Sequence, residues 1–386
     1  MAKTQSLDWI DLAGIGAKSV FTVAACASVG VYARKTGVLT KATEKGLGKL
    51  ITSVYLPCLI FQKVVPNMNM PAFLDIWPLI VIAVITVFYG LVCGYGVAFV
   101  LGLSEKKRGL IMVAIAFPNS FSVPITLMLA LGCQPQFGDV SGQEFVEHTN
   151  LYFLMSYTLW VLIRWSIGYP ILSGALSFRE WREKVINPPV KACFLGILVG
   201  LLWSAVPNAH RSDVLEKGAP ILEPLATALR YAGQCCVPSI LLTLGANLDA
   251  ACEEAFQKKT ELDEPLAALA NAPGKSSSGE RLASDEMPAL GYISVLVFRQ
   301  LVGPLLGAGI CCGLIRDVFD VNRPIVLMVG MLQSAGPPMI NLAVMAGMSE
   351  NGETTVAKIL LGTYAFSIVS WTCSLAFFLY VLDAGA

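Results

Sequence analysis

Gln333-Ser334-Ala335-Gly336-Pro337-Pro338-Met339-Ile340-Asn341 runs through the middle of an apolar stretch long enough to cross a bilayer, and Ala116-Phe117-Pro118-Asn119-Ser120-Phe121-Ser122-Val123-Pro124 does the same earlier in the chain. Each combines prolines with Asn and Ser. Proline removes a backbone donor and clashes with the preceding turn, so two in or near one turn interrupt a helix. At membrane depth the freed carbonyls and amides are tolerated only inside protein or against a water-filled cavity. The second half-helix of each pair presents an N-terminus, a positive dipole end suited to an anion. Crossed broken helices are where many transporters place substrate. Either stretch alone reads equally as a kinked packing helix; two in corresponding positions favour a binding site.

The rest of the chain fits a membrane protein. It has 386 residues, 55% of them hydrophobic and only 14% charged, with a mean hydropathy of +0.66. A soluble domain averages about 25% charged residues. Positive and negative side chains balance at 27 each, so there is no basic stripe of the kind a nucleic-acid binder shows. Cysteines such as Cys26, Cys193 and Cys311 sit in apolar runs with no CxxC pairing and read as small packing residues. No metal or cofactor motif is present, and none of the enzyme signatures HExxH, G-x-S-x-G or paired intramembrane carboxylates occurs. The first apolar run is long for a signal peptide and reads as a membrane helix.

Ten stretches meet the length of about 20 mostly apolar residues that a spanning helix requires. They are 13–33, 47–65, 76–102, 108–132, 150–174, 190–206, 222–247, 289–315, 323–348 and 355–382. Basic connections (Arg34 to Lys45, Glu105 to Arg108, Arg179 to Lys184) alternate with poorer or acidic ones (Pro66 to Asp75, Asp139 to Glu147). Basic short loops stay cytosolic, which places both termini on the far side. A polar segment at 249–288, including Lys275-Ser276-Ser277-Ser278-Gly279-Glu280, reads as a flexible cytosolic linker.

Leu56-Pro57-Cys58-Leu59-Ile60 in the second span matches Val237-Pro238-Ser239-Ile240-Leu241 in the seventh, and Val87-Phe88 in the third matches Val297-Phe298 in the eighth. The second pair lies farther apart than the first by about the length the linker inserts. These matches suggest two five-helix halves, the second inserted the other way up, as in many secondary transporters. The expected organisation is therefore an all-α membrane protein: residues 1–174 as the first repeat, 175–248 and 289–386 as the second, and 249–288 as linker.

At these residues the chain resembles the auxin efflux carrier superfamily and, within it, the PIN-LIKES branch. Gln333 to Asn341 is similar to that family's Gln-Ser-Ala-Met-Pro-Ser-Ala-x-Asn pattern. Pro238 to Leu248 is similar to its proline-led run ending Gly-(Gly/Ala)-Asn-Leu. The resemblance implies a five-plus-five inverted repeat with crossed spans four and nine, transport of auxin-like carboxylates, and an endoplasmic-reticulum location. It assigns Asn119 and Pro124 to the family's Gly-Asn-x-Gly-Asn-x-Pro pattern, and Pro337 and Asn341 to the later one. The chain departs from the pattern at Pro118 and at Ser120-Phe121-Ser122, where one amide is lost. Its long linker also follows the seventh span, whereas plant members usually have it between the halves.

The expected substrate contacts are Asn119, Ser120, Ser122, Pro124, Gln333, Ser334, Pro337, Pro338 and Asn341. Arg164, Arg230, Arg299 and Lys63 fall within spans, where charges face a cavity or snorkel to an interface. Arg299 and Lys63 are the candidate cavity charges; Arg299, deeper in its span, is expected in a cavity-facing or a structural role. The function expected is a secondary carrier of a small organic anion; a solute-binding membrane receptor is the alternative. Expected partners are the anion, the lipid bilayer and a second copy of the chain.

Overall fold

A computed structural model of the chain describes residues 21, 24–67, 74–132, 137, 142–174, 178–204, 222–250, 253, 287–349 and 351–383. Among these residues the secondary structure is helical, and the one β-type pairing is a bridge between Pro118 and Pro338. Among the described residues, three helices are long and apolar enough to cross a membrane: Lys41–Val65, Trp77–Val100 and Ala289–Arg316. Glu353–Ser367 and Val369–Asp383, bent by 54°, make a fourth if they are one span. The chain is an integral membrane protein.

In chain order the helices are as follows. Residues 24–35 form α1. Helix α2 is continuous through Lys41–Leu50, Ile51–Tyr55 and Leu56–Asn67. Trp77–Val100 is α3, Glu105–Ala116 is α4 and Ser122–Leu131 is α5. Helix α6 runs through Gly142–Ile163, Arg164–Gly168 and Tyr169–Leu172. Phe178–Val185 is α7, Pro188–Ser204 is α8, Leu222–Gln234 is α9 and 236–250 is α10. Helix α11 runs through Ala289–Val297, Phe298–Val302, Gly303–Ala308 and Gly309–Arg316. Pro324–Ser334 is α12, Asn341–Ser349 is α13 and Glu353–Asp383 is α14.

Helix α3 shows why these segments suit lipid. One stripe, including Leu79, Ile82, Ala83, Thr86 and Gly90, is buried against protein at helical spacing. The other face presents Val84, Phe88, Val92 and Phe99, all exposed and all apolar. An outward face of large apolar side chains is unfavourable in water and favourable in hydrocarbon. Helices α1 and α10 instead touch backbone to backbone: a Cβ added at Gly30 would run into the Leu242 carbonyl, and one at Gly245 into that of Ala27.

Among the described residues, three helices widen into a π-turn that ends two residues before a proline. Ile51–Tyr55 precedes Pro57, Arg164–Gly168 precedes Pro170, and Phe298–Val302 precedes Pro304. A proline has no N–H for the carbonyl four residues back and clashes with it, and a widened turn relieves both while the helix continues. These turns carry Arg164 and Arg299.

The interruptions expected in the fourth and ninth spans are present: α4 stops at Ala116 and α5 begins at Ser122; α12 stops at Ser334 and α13 begins at Asn341. Two boundaries differ from the expectation. The seventh span is divided by a turn at Cys235, three residues before Pro238. Helix α10 also runs on into the stretch read as linker, because Asp249 is buried and ion-paired with Arg34 at 3.5 Å and Lys35 at 3.7 Å. Residues 13–20, 22 and 23 of the first span and nearly all of the linker lie outside the described residues.

The two ends of the bundle are distinguishable. At one, Asn351, between α13 and α14, donates to the Lys106 carbonyl at the start of α4 (3.2 Å) and the Leu172 carbonyl at the end of α6 (2.9 Å), beside basic loops. At the other, Arg323 at the start of α12 makes a bidentate pair with Asp75 beside α3 (2.8 and 2.6 Å) and donates to the Tyr152 hydroxyl at 2.6 Å.

Candidate substrate site

The two interruptions meet. Phe117 and Ala335, the residues after α4 and α12, are extended, at φ −111°, ψ 100° and φ −89°, ψ 176°. There the strands of backbone exchange hydrogen bonds. Asn119 N–H donates to the Pro337 carbonyl at 2.8 Å, and Met339 N–H donates to the Phe117 carbonyl at 3.0 Å. The exchange is reciprocal about the Pro118–Pro338 pair, so each break satisfies backbone groups that the other has freed. Gly336 sits at φ +87°, a left-handed conformation that favours glycine, and a Cβ there would run into the Trp371 indole.

The C-terminal ends of both first half-helices converge on Arg299. Its Nη1 donates to the Ile115 carbonyl, its Nη2 to the Ser334 carbonyl and its Nε to the Gly336 carbonyl, each at 2.9 Å. Carbonyls at a helix C-terminus lack intrahelical donors and carry the negative end of the dipole, so a guanidinium fork answers both needs. Arg299 is 1% exposed and does not line the cavity described below. Of the two roles expected for it, its contacts fit the structural one: it clamps the two breaks together.

Further polar groups back the breaks. Gln333 accepts from Trp160 Nε1 at 3.3 Å and donates to the Ser120 carbonyl at 3.2 Å and to Ser156 Oγ at 2.6 Å. The Asn119 side-chain amide donates to the Tyr364 hydroxyl at 2.7 Å, which donates to the Pro338 carbonyl at 3.3 Å. Ser334 Oγ donates to the Met331 carbonyl at 2.9 Å.

A cavity of about 230 Å³ opens where the second half-helices begin. Asn119, Ser120 and Phe121, leading into α5, form one wall, and Met339, Ile340 and Asn341, leading into α13, form another. Leu56, Leu59 and Lys63 of α2 and Cys236, Val237 and Ile240 of α10 close the apolar side, and Tyr157 and Arg164 of α6 complete the lining. The volume is just below the ~300 Å³ at which small-molecule pockets begin. Lys63 and Arg164 are the charged residues among the described lining; no Asp or Glu is among them. Both broken helices thus turn their C-termini to Arg299 and their N-termini to a cationic chamber.

Of the residues expected to contact substrate, Asn119, Ser120 and Asn341 line this cavity. Gln333, Ser334, Pro337 and Pro338 are buried in the framework of the breaks, and Pro124 is buried on α5. Lys63 lines the cavity. The Ser122 side chain lies outside the described residues. Arg164 and Tyr157 were not among the expected contacts. A charge in the middle of the apolar run 150–174 was the available signal for Arg164; a tyrosine in such a run gives none.

A second cavity, of about 720 Å³, continues along the same three helices toward the basic end. It is lined by Gly48, Thr52 and Ser53 of α2, Thr243 and Asn247 of α10, and Val344 and Gly347 of α13. With a rise of about 1.5 Å per residue, Ser53 of this cavity and Leu56 of the first lie within about 5 Å along the α2 axis.

A family model described as "Membrane transport protein" matches residues 15–176 and 172–375. The chain is 21% identical to "Protein PIN-LIKES 3" of Arabidopsis thaliana over 95% of this chain and 97% of that one. It is 21% identical to "Uncharacterized transporter YBR287W" of Saccharomyces cerevisiae over 94% of each, and 20% identical to "Protein PIN-LIKES 7" of Arabidopsis thaliana over 90% and 92%.

Proposed function

The chain belongs to the membrane transport protein family, and from that premise we propose that it is a secondary carrier moving a small organic anion by alternating access at the paired breaks. The observation that carries this reading is the cavity itself. It is lined by the approaches to two half-helix N-termini, by Asn and Ser side chains and by Lys63 and Arg164, with an apolar wall from α2 and α10. Positive dipole ends and cations attract a carboxylate; the apolar wall takes a hydrocarbon or aromatic body. An auxin-like carboxylate has both parts.

The same reading includes ten spans in a five-plus-five inverted repeat with crossed spans four and nine. The reciprocal hydrogen bonds about Pro118 and Pro338 support it, since a two-fold axis between the halves would produce such a pair. The larger cavity on the basic side serves as the entry from the cytosol, by the preference of basic loops for that side. The proposal of an endoplasmic-reticulum membrane rests on the resemblance to PIN-LIKES proteins alone. A homodimer belongs to the same proposal and is read from the particle mass in detergent.

Uptake of a panel of aromatic and aliphatic carboxylates, each beside its neutral amide, by proteoliposomes preloaded with the same unlabelled compound tests the function. Protein-dependent uptake of carboxylates supports the carrier. Saturable binding without uptake would favour the receptor.

A further inference from the structure

Arg164 differs from every other buried cation on the site. It is 4% exposed, and its hydrogen bonds run from Nη2 alone, to the Pro118 carbonyl at 3.4 Å and Ser120 Oγ at 3.2 Å. Its Nε is buried without an acceptor. No acidic side chain pairs with it among the described residues, and none is among the cavity lining. Lys63 on α2 faces the same space and adds positive charge. Arg299, by comparison, spends its whole fork on three carbonyls.

A guanidinium stays protonated in a protein. Withdrawn from water without a counter-charge, it is strongly unfavourable. While the cavity is open, water and mobile ions supply that compensation. Once the cavity closes, only what it holds can do so. A carboxylate in the cavity can accept from the unspent Nη1 donor and cancels the charge. Closing the empty cavity strands the charge.

We propose that the carrier exchanges one anion for another instead of returning empty, because Arg164 must be neutralised each time the site closes. This rests on the carrier reading above. It assigns Arg164 two tasks: selecting anions over neutral solutes of the same shape, and forbidding the unloaded half-cycle.

The test uses the purified full-length chain in liposomes, with valinomycin and equal potassium clamping the voltage and protein-free liposomes correcting for leak. Uptake of radiolabelled phenylacetate is compared between vesicles holding unlabelled phenylacetate and vesicles holding sulfate. The expected initial rate is at least about tenfold higher in the first, since the empty site must pass through an uncompensated buried charge. In Arg164→Met the ratio falls toward one, and Arg164→Lys, which keeps the charge, retains stimulation. Equal rates into both kinds of vesicle in the wild type would overturn exchange while leaving the carrier standing, as would full stimulation in a folded Arg164→Met protein. No protein-dependent uptake in either arm would overturn the carrier and exchange together. The wild-type ratio decides the matter even where Arg164→Met does not fold.

Discussion

Arg299 donates to the Ile115 carbonyl at 2.9 Å, so a cation from the second half of the chain closes the end of a helix in the first. The same side chain holds the Ser334 and Gly336 carbonyls. Both breaks therefore depend on one guanidinium.

Arg299→Met leaves three buried carbonyls without these donors. Each unsatisfied group costs about 1–3 kcal/mol, so the expected loss is about 3 kcal/mol or more, seen as a marked fall in Tm of the purified protein in detergent. Arg299→Lys falls between, because an ammonium cannot reproduce a planar fork. A methionine variant as stable as the wild type would refute the clamp.

Gly336→Ala is expected to destabilise by about 1–3 kcal/mol from the left-handed backbone alone. The collision of its methyl with Trp371 adds to this. The yield of monodisperse protein after size-exclusion chromatography reads the effect. Trp371→Phe in the same background is expected to recover only part, because a smaller ring relieves the collision and not the φ of +87°.

Lys63→Gln removes one of the two cations of the cavity. The Kd for phenylacetate is expected to rise by about 5–10-fold, as for loss of an ion contact worth about 1 kcal/mol or slightly more, with binding of phenylacetamide unchanged. Equal effects on acid and amide would show that Lys63 acts on shape and not on charge.

Asp75→Asn breaks the bidentate pair with Arg323. The contact is short, at 2.6 Å, yet the two side chains are 46% and 35% exposed. Solvent screening limits such a pair to about 1 kcal/mol or less. The expected change in Tm is a few degrees at most, and smaller in high salt. A large fall would mean that this cluster bears more of the fold than its exposure suggests.

The interruptions were legible because prolines grouped with asparagine and serine inside an apolar run interrupt a helix. Which side chains face the chamber was not. Gln333 reads as a substrate ligand by position and type, and only the approach of Trp160, Ser120 and Ser156 shows its amide to be spent. Arg299 reads from sequence as either cavity-facing or structural; the three carbonyls that claim it come from segments distant in sequence. Arg164 carries the same signal as Arg299 and has the opposite placement, so a lone charge in a span does not by itself tell a clamp from a receptor. The π-turns preceding Pro57, Pro170 and Pro304 show a second response to proline: the helix widens and continues, whereas at Pro118 and Pro337-Pro338 the chain leaves the helix altogether.

The most direct test of the central claim is equilibrium binding of radiolabelled phenylacetate to the detergent-purified chain, comparing wild type with Asn341→Ala. Asn341 lies where the second break opens onto the cavity, and its removal takes a hydrogen-bonding amide from the wall without touching the Arg299 clamp. The account predicts saturable binding to the wild type that weakens about tenfold in a variant of unchanged Tm, a loss of roughly 1.4 kcal/mol. Undiminished affinity in a correctly folded variant would contradict it.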